Sequence, residues 1–202
     1  MASPVDICNL ALSYLGAEPI SAIDGTDTSG NAQLCARVYP IAKRNVLEES
    51  VWTFATGRGT SDTPSTASPE YGYAFAHDVP QNTLNVVEVT ADKKSGKNAP
   101  IDLDWRLEGW QILCDAESIA FKYIADVDPA DDGTESDQFS NKFVTALAYR
   151  IAAELAPTIT ESNTKTEQMW NLYYKLVQEA KTRDAMQGRG DRLRSSALIR
   201  VR

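Results

Sequence analysis

Histidine is almost absent: His77 is the only one in 202 residues. Structural zinc and nucleophile–base catalysis both lean on imidazole, so a single histidine leaves little room for either. No nucleophile elbow, Gly-x-Ser-x-Gly, occurs to supply a hydrolase serine. His77, next to Asp78, therefore reads as a surface or sheet histidine. Cysteine is scarce too. Cys8, Cys35 and Cys114 are odd in number, far apart and set among apolar neighbours, which excludes a disulfide framework and suits reduced core residues made in a cytoplasm. Long apolar runs are missing: nothing approaches the ~18 residues of a membrane helix. The opening Met1-Ala2-Ser3-Pro4-Val5-Asp6 has no basic region of a secretory signal. No membrane partner is expected.

Ligand motifs also fail. Gly57-Arg58-Gly59 and Gly188-Arg189-Gly190 lack the further glycine and the strand-to-helix setting of a phosphate loop. Arg189-Gly190-Asp191 matches an integrin tripeptide, a match short enough to arise by chance. The acidic stretch Asp126, Asp128, Asp131, Asp132, Glu135, Asp137 invites a calcium reading, but EF-hand spacing fails in both registers. From Asp126, Asp131 falls where glycine is needed; from Asp128, Ala130 falls third and Phe139 twelfth. Residues 126–137 read as a solvated linker, with cation binding left open. Glycan hydrolysis needs two carboxylates across a cleft. Asp102, Asp104 and Asp115 are the carboxylates available for that, and no motif supports them. No catalytic, cofactor or metal-binding residue is assigned, and a non-enzyme is expected.

What is present is uneven charge. The chain carries 20 Lys and Arg against 28 Asp and Glu, a net charge of −8. From Lys181 onward the basic residues are Lys181, Arg183, Arg189, Arg192, Arg194, Arg200 and Arg202, opposed by Asp184 and Asp191. Seven against two gives that end about +5, which leaves about −13 of the total −8 on the rest. An acidic body argues against wrapping nucleic acid. The basic end suits nucleic acid or an acidic partner.

Hydrophobic periodicity gives the outline. Ser3 can cap a first helix, with Pro4 in its first turn, Cys8, Ala11, Leu12 and Leu15 on one face, and Gly16 ending it. A second helix spans about Gly30 to Ser50, with Leu34, Val38, Ile41, Val46 and Leu47 as its stripe and Pro40 as a kink. From Trp52 the texture turns to strands, with Gly57 to Pro69 an exposed loop. Strands are expected at Leu84 to Val89, Ile101 to Leu107, Gln111 to Cys114 and Ile119 to Ala125, with a hairpin tip at Lys93 to Asn98. Phe139, Phe143, Leu147, Ile151 and Leu155, four apart, mark a third helix that Pro157 should stop. A fourth, capped by Thr160, Asn163 or Thr164, carries Met169, Leu172, Tyr173, Leu176 and Ala180. The expected fold is α+β: a four-helix bundle with a small antiparallel β-rich insertion between helices 2 and 3, and an extended C-terminal tail. The expected divisions are 1–50 with 136–186 for the bundle, 51–135 for the insertion and 187–202 for the tail.

Several stretches, taken in order, carry a resemblance. They are Val5-Asp6-Ile7-Cys8-Asn9-Leu10-Ala11-Leu12 with Leu15-Gly16-Ala17-Glu18-Pro19-Ile20; Arg37 to Ser50 followed by Val51-Trp52-Thr53-Phe54-Ala55; Tyr71-Gly72-Tyr73-Ala74-Phe75 with Val79-Pro80; Leu113-Cys114-Asp115; and Phe143, Ala146-Leu147-Ala148 and Ile151 to Ala156. Over most of residues 3 to 185 the chain resembles the tail tubular protein A family of short-tailed phages. Residues 57–69 and 126–137 depart from it as local elaborations. The resemblance implies a structural virion protein assembled in the host cytoplasm: a twelve-subunit head–tail adaptor ring between a portal protein and a tubular B-like tail nozzle. DNA would pass through its channel without sequence-specific binding during genome retention and ejection. A monomeric free form is compatible with that role. The resemblance carries over no catalytic residue. The alternatives are a connector of a long-tailed phage or prophage, and a glycan-degrading virion enzyme. In the ring reading the acidic body lines the channel, and the tail from Gly188 orders on the portal. Arg189, Arg192, Arg194, Leu198, Arg200 and Arg202 are the portal-contact candidates.

Overall fold

The structure, a computed structural model, describes residues 2–65, 69–91, 103–128 and 139–187. Helix α1 (Pro4–Leu15) opens with a reciprocal capping box: the Asp6 amide donates to Ser3 Oγ at 3.1 Å, and the Ser3 amide donates to Asp6 Oδ2 at 3.0 Å. Gly16, with φ 73°, closes it in the left-handed conformation that glycine adopts without strain. Asn9 then fixes the exit: its amide group donates to Ile20 O at 3.0 Å and accepts from Ile20 N at 2.8 Å.

Helix α2 (Gly30–Glu48), capped by Ser29, runs on through Pro40. Its buried face is Ala32, Cys35, Tyr39, Ala42, Lys43, Val46 and Leu47. The expected stripe is rotated: Leu34 and Val38 are only half-buried, and Ile41 is exposed. Small side chains at Ala32, Cys35 and Ala42 let this face come close to the core, and the larger aliphatics lie outside it.

Helix α3 (Asn141–Thr160), capped by Ser140, buries Phe143, Leu147, Ile151 and Leu155 as expected. It also buries Ala146, Ala148, Ala152, Ala153 and Ala156. Pro157 does not stop it; the helix ends three residues later, and the chain turns at Glu161 with φ 49°. The missing proline N–H falls in the last turn, where little helix remains to be lost. Helix α4 (Asn163–Ala185) is capped by Ser162 rather than by the expected residues, and buries Met169, Tyr173, Val177, Ala180 and Asp184. Leu172 is exposed.

These helices do not make the expected four-helix bundle. Helix α3 is the hub, with α1, α2 and α4 each packed on it, while α1 and α2 meet only marginally. A bundle helix shows one apolar stripe to a shared centre. Helix α3 is apolar on most of its circumference, and its alanines admit neighbours on several sides, so the helix itself occupies the centre.

The expected single small sheet is also corrected. Between α2 and α3 the described residues form two three-stranded antiparallel sheets. The first has the order β1 (Thr56–Ser61), β6 (Ile119–Ala125), β3 (Thr83–Thr90); the second has the order β2 (Phe75–Asp78), β5 (Gln111–Cys114), β4 (Trp105–Glu108). Ile124 of β6 and half-buried Leu84 and Val87 of β3 join the helical core. Ile119 and Phe121, on the opposite face of β6, join Val86, Val89, Ile112 and Cys114 in a second core between the sheets. The layers are thus helices, first sheet, second sheet. Strand β1 falls in the expected loop, because Gly57 and Gly59 are strand residues here. Tyr123 and Phe121 stand opposite them in register, and a Cβ on either glycine would lie within 2.4 or 2.5 Å of the facing ring. The aromatic rings supply the cover that β1 lacks. The Gly-Arg-Gly triplet has this structural explanation. The expected hairpin tip at 93–98 and the C-terminal tail lie outside the described residues.

Candidate functional site

The portal-contact candidates Arg189, Arg192, Arg194, Leu198, Arg200 and Arg202 lie outside the described residues, as does Asp102. The other sequence candidates are dispersed. Asp115 accepts from the Ala74 amide at 3.0 Å and so ties down the approach to β2. Burial and the nearby Asp104 carboxylate push the Tyr73 phenol upward, with Arg106 opposing.

His77 is fully buried in β2. Its Nε2–H donates to the Ala116 carbonyl at 2.9 Å, which leaves Nδ1 facing Ser61 Oγ at 2.9 Å. The Ser61 hydroxyl also lies 3.0 Å from the Thr63 carbonyl. A serine does stand beside the lone histidine, which the sequence could not reveal. Ser61 belongs to β1 and His77 to β2, so the bond ties one sheet to the other, and an imidazole with no exposed surface cannot meet a substrate.

The helical core meets the sheets at a second set of residues. Trp52 is buried: its Nε1–H donates to Val46 O at 2.9 Å, and its ring meets Phe143 edge-on at 5.0 Å. Phe54 packs on Phe139 and Phe143. Between them, Thr53 donates from its amide (2.8 Å) and its hydroxyl (2.7 Å) to the buried Asp184 carboxylate near the end of α4. The Trp-x-Phe spacing is therefore a corner anchored on both flanks by rings and in the middle by a carboxylate.

Beside this corner a cleft of about 540 Å³ opens between α2 and the two sheets. Helix α2 contributes Arg44 and Glu48, the turn into β3 contributes Gln81, Asn82, Thr83 and Leu84, and Asp126 and Trp110 complete the wall. Arg44 Nε donates to Asp126 Oδ2 at 2.8 Å, and the buried Lys43 ammonium stands 2.8 Å from Asp126 Oδ1 and also bonds Asp128. Burial pushes the Asp126 carboxyl up, but the hydrogen bonds and charges of Lys43 and Arg44 outweigh it and hold it below the usual carboxylate value. The first two carboxylates of the acidic linker are thus committed to lysine and arginine rather than free for a cation. Among the described residues, no group of three or more His, Cys, Asp or Glu is arranged to hold a metal ion.

Trp110 stands out in this cleft. Gly109 (φ 56°) and Trp110 (φ 65°) form the two-residue loop between β4 and β5, with positive φ at both positions, the type I′ pattern. Glycine and asparagine suit such positions; a bulky tryptophan is strained there. Yet the indole is 60% exposed.

A scan against protein-family models and a search of curated proteins find no match to this chain. Among the described residues no helix is long and apolar enough to cross a membrane.

Proposed function

We propose that the chain is a non-catalytic structural virion protein, the subunit of a head–tail adaptor ring of the tail tubular protein A type. The observation that carries this reading is the ordered set of segments spread over residues 3 to 185 that resembles the family. Their placement supports it, because they interlock as one scaffold. Asn9 of the first segment holds Ile20 of the second, and Trp52 and Phe54 of the third rest on Phe143 of the last. The layered shape also suits a ring, whose lateral contacts join two different faces of each subunit and close by rotation. Helices lie on one side, and among the described residues the two sheets present four edge strands. The net charge of −8 suits a channel along which DNA slides without sticking. The partners in this reading are the portal, the tail nozzle and other copies of the chain.

The test is the mass of the full-length chain, measured by light scattering, alone and mixed with the cognate portal ring. The expected result is a complex that gains twelve copies. Failure to associate, or a different stoichiometry, would refute the adaptor assignment.

A further inference from the structure

We propose that the arginine-rich C-terminal segment, residues 188–202, docks on its own chain in the cleft beside Trp110. The inference does not rest on the adaptor reading. Four observations carry it. The first is the strained, exposed indole at the cleft wall. Backbone strain at a bulky side chain persists where something compensates it, and within the described chain this ring stays 60% exposed. The second is Thr83, which lines the cleft, is 1% exposed, and has no hydrogen-bond partner for its Oγ1. A buried hydroxyl left unpaired costs free energy that a docked donor or acceptor would recover.

The third observation is charge. Glu48 and Asp126 line the cleft, and Glu108 and Asp78 flank Trp110 across the strands, both in register with Gln111. Arg44 on the cleft wall and the buried Lys43 behind it both pair with Asp126, which leaves Glu48, Glu108 and Asp78 as the carboxylates open to a further cation. The segment 188–202 brings Arg189, Arg192, Arg194, Arg200 and Arg202 against Asp191 alone. Guanidinium groups suit both parts of such a site, since they stack on an indole face and pair with carboxylates.

The fourth is where the described chain ends. Helix α4 finishes beside the C-terminal end of α2: Lys181 bonds Glu49 at 2.9 Å, and Asp184 bonds Thr53. Glu48 of the cleft is the neighbour of Glu49. Residues 188–202 span up to ~50 Å when extended, so the segment reaches the cleft without crossing the molecule. In the adaptor reading the same arginines would leave the cleft to meet a portal, which makes the contact autoinhibitory.

The experiment is acrylamide quenching of tryptophan fluorescence in the full-length chain, with the Trp110 signal isolated by subtracting a Trp110→Phe variant. In the wild type at low salt Trp110 should be shielded. A variant with all five arginines changed to glutamine, or the wild type at high salt, should quench roughly twofold more strongly, as expected when a screened cation–π and ion-pair contact is lost. Glu48→Gln, on the exposed face of α2, should move the signal the same way while leaving the fold in place. Equal quenching of wild type and arginine variant overturns the proposal. Shielding that vanishes on dilution overturns it too, because the occupant is then the tail of a second copy.

Discussion

The helical and strand-built parts of this chain reach burial by different means. The helices converge on α3, where leucine, isoleucine and phenylalanine at four-residue spacing interdigitate with alanines, and the resulting core takes in Trp52, Phe54 and Ile124 from beyond the helices. The two sheets share a much smaller core of Val86, Val89, Ile112, Cys114, Ile119 and Phe121. Three strands give little area to bury, so the sheets rely on local devices: rings laid over glycines, a histidine bond between sheets, and salt bridges at the seam with α2. Stability in the first part comes from volume filling, and in the second from particular pairs.

That contrast can be broken most directly at Phe143. Truncation of Phe143 to alanine removes the ring against which Trp52 and Phe54 stack, and should cost about 3–5 kcal/mol in urea denaturation. A loss under 1 kcal/mol would mean that the helical core does not depend on filling this volume. In the sheets, Gly59→Val puts a side chain where the Phe121 ring lies. The expected loss is about 1–3 kcal/mol, as for other overpacked sites. Combining it with Phe121→Leu should recover part of that loss, and strictly additive effects would show that the ring is not the obstacle.

The seam is sharpened by pH. The Asp126 carboxyl is held below its usual value, so its contribution to stability is present above the unfolded value of ~4 and is lost as pH falls through the folded value. Asp126→Asn should therefore flatten the decline in stability below pH ~4; an unchanged acid limb would show that Lys43 and Arg44 do not stabilise the ionised form. The smallest effect has the opposite sign. Made in the variant whose five C-terminal arginines are glutamine, so that no tail contact is lost with the ring, Trp110→Asn relieves the left-handed strain at the hairpin tip and should raise stability by ~0.5–1 kcal/mol, read as a shift in Tm. Destabilisation instead would show that the indole already earns its place through contacts within the chain.

Large apolar residues at every fourth position made α3 and one of its buried faces legible, though not the alanine faces, and Ser3, Pro4 and Gly16 marked α1 at both ends. Strands β3 and β6 were legible from β-branched and aromatic residues, and β5 from a short apolar run. Strand β1 was not, because Thr-Gly-Arg-Gly-Thr-Ser reads as loop until Phe121 and Tyr123 are known to lie across it. Strand β2 is too short, and ends too polar, to signal itself. Of the site, the acidic residues at 126 and 128 were visible, but their lysine and arginine partners, more than eighty positions away, were not.

Local periodicity and capping chemistry thus determined the four helices of the described residues and where α1 and α2 begin, since those preferences act over one or two turns. Which helix sits at the centre, how the strands divide between two sheets, and which carboxylates are already spoken for were decided only by tertiary structure. Each depends on groups distant in sequence competing for the same space or the same charge, and no local window contains both competitors.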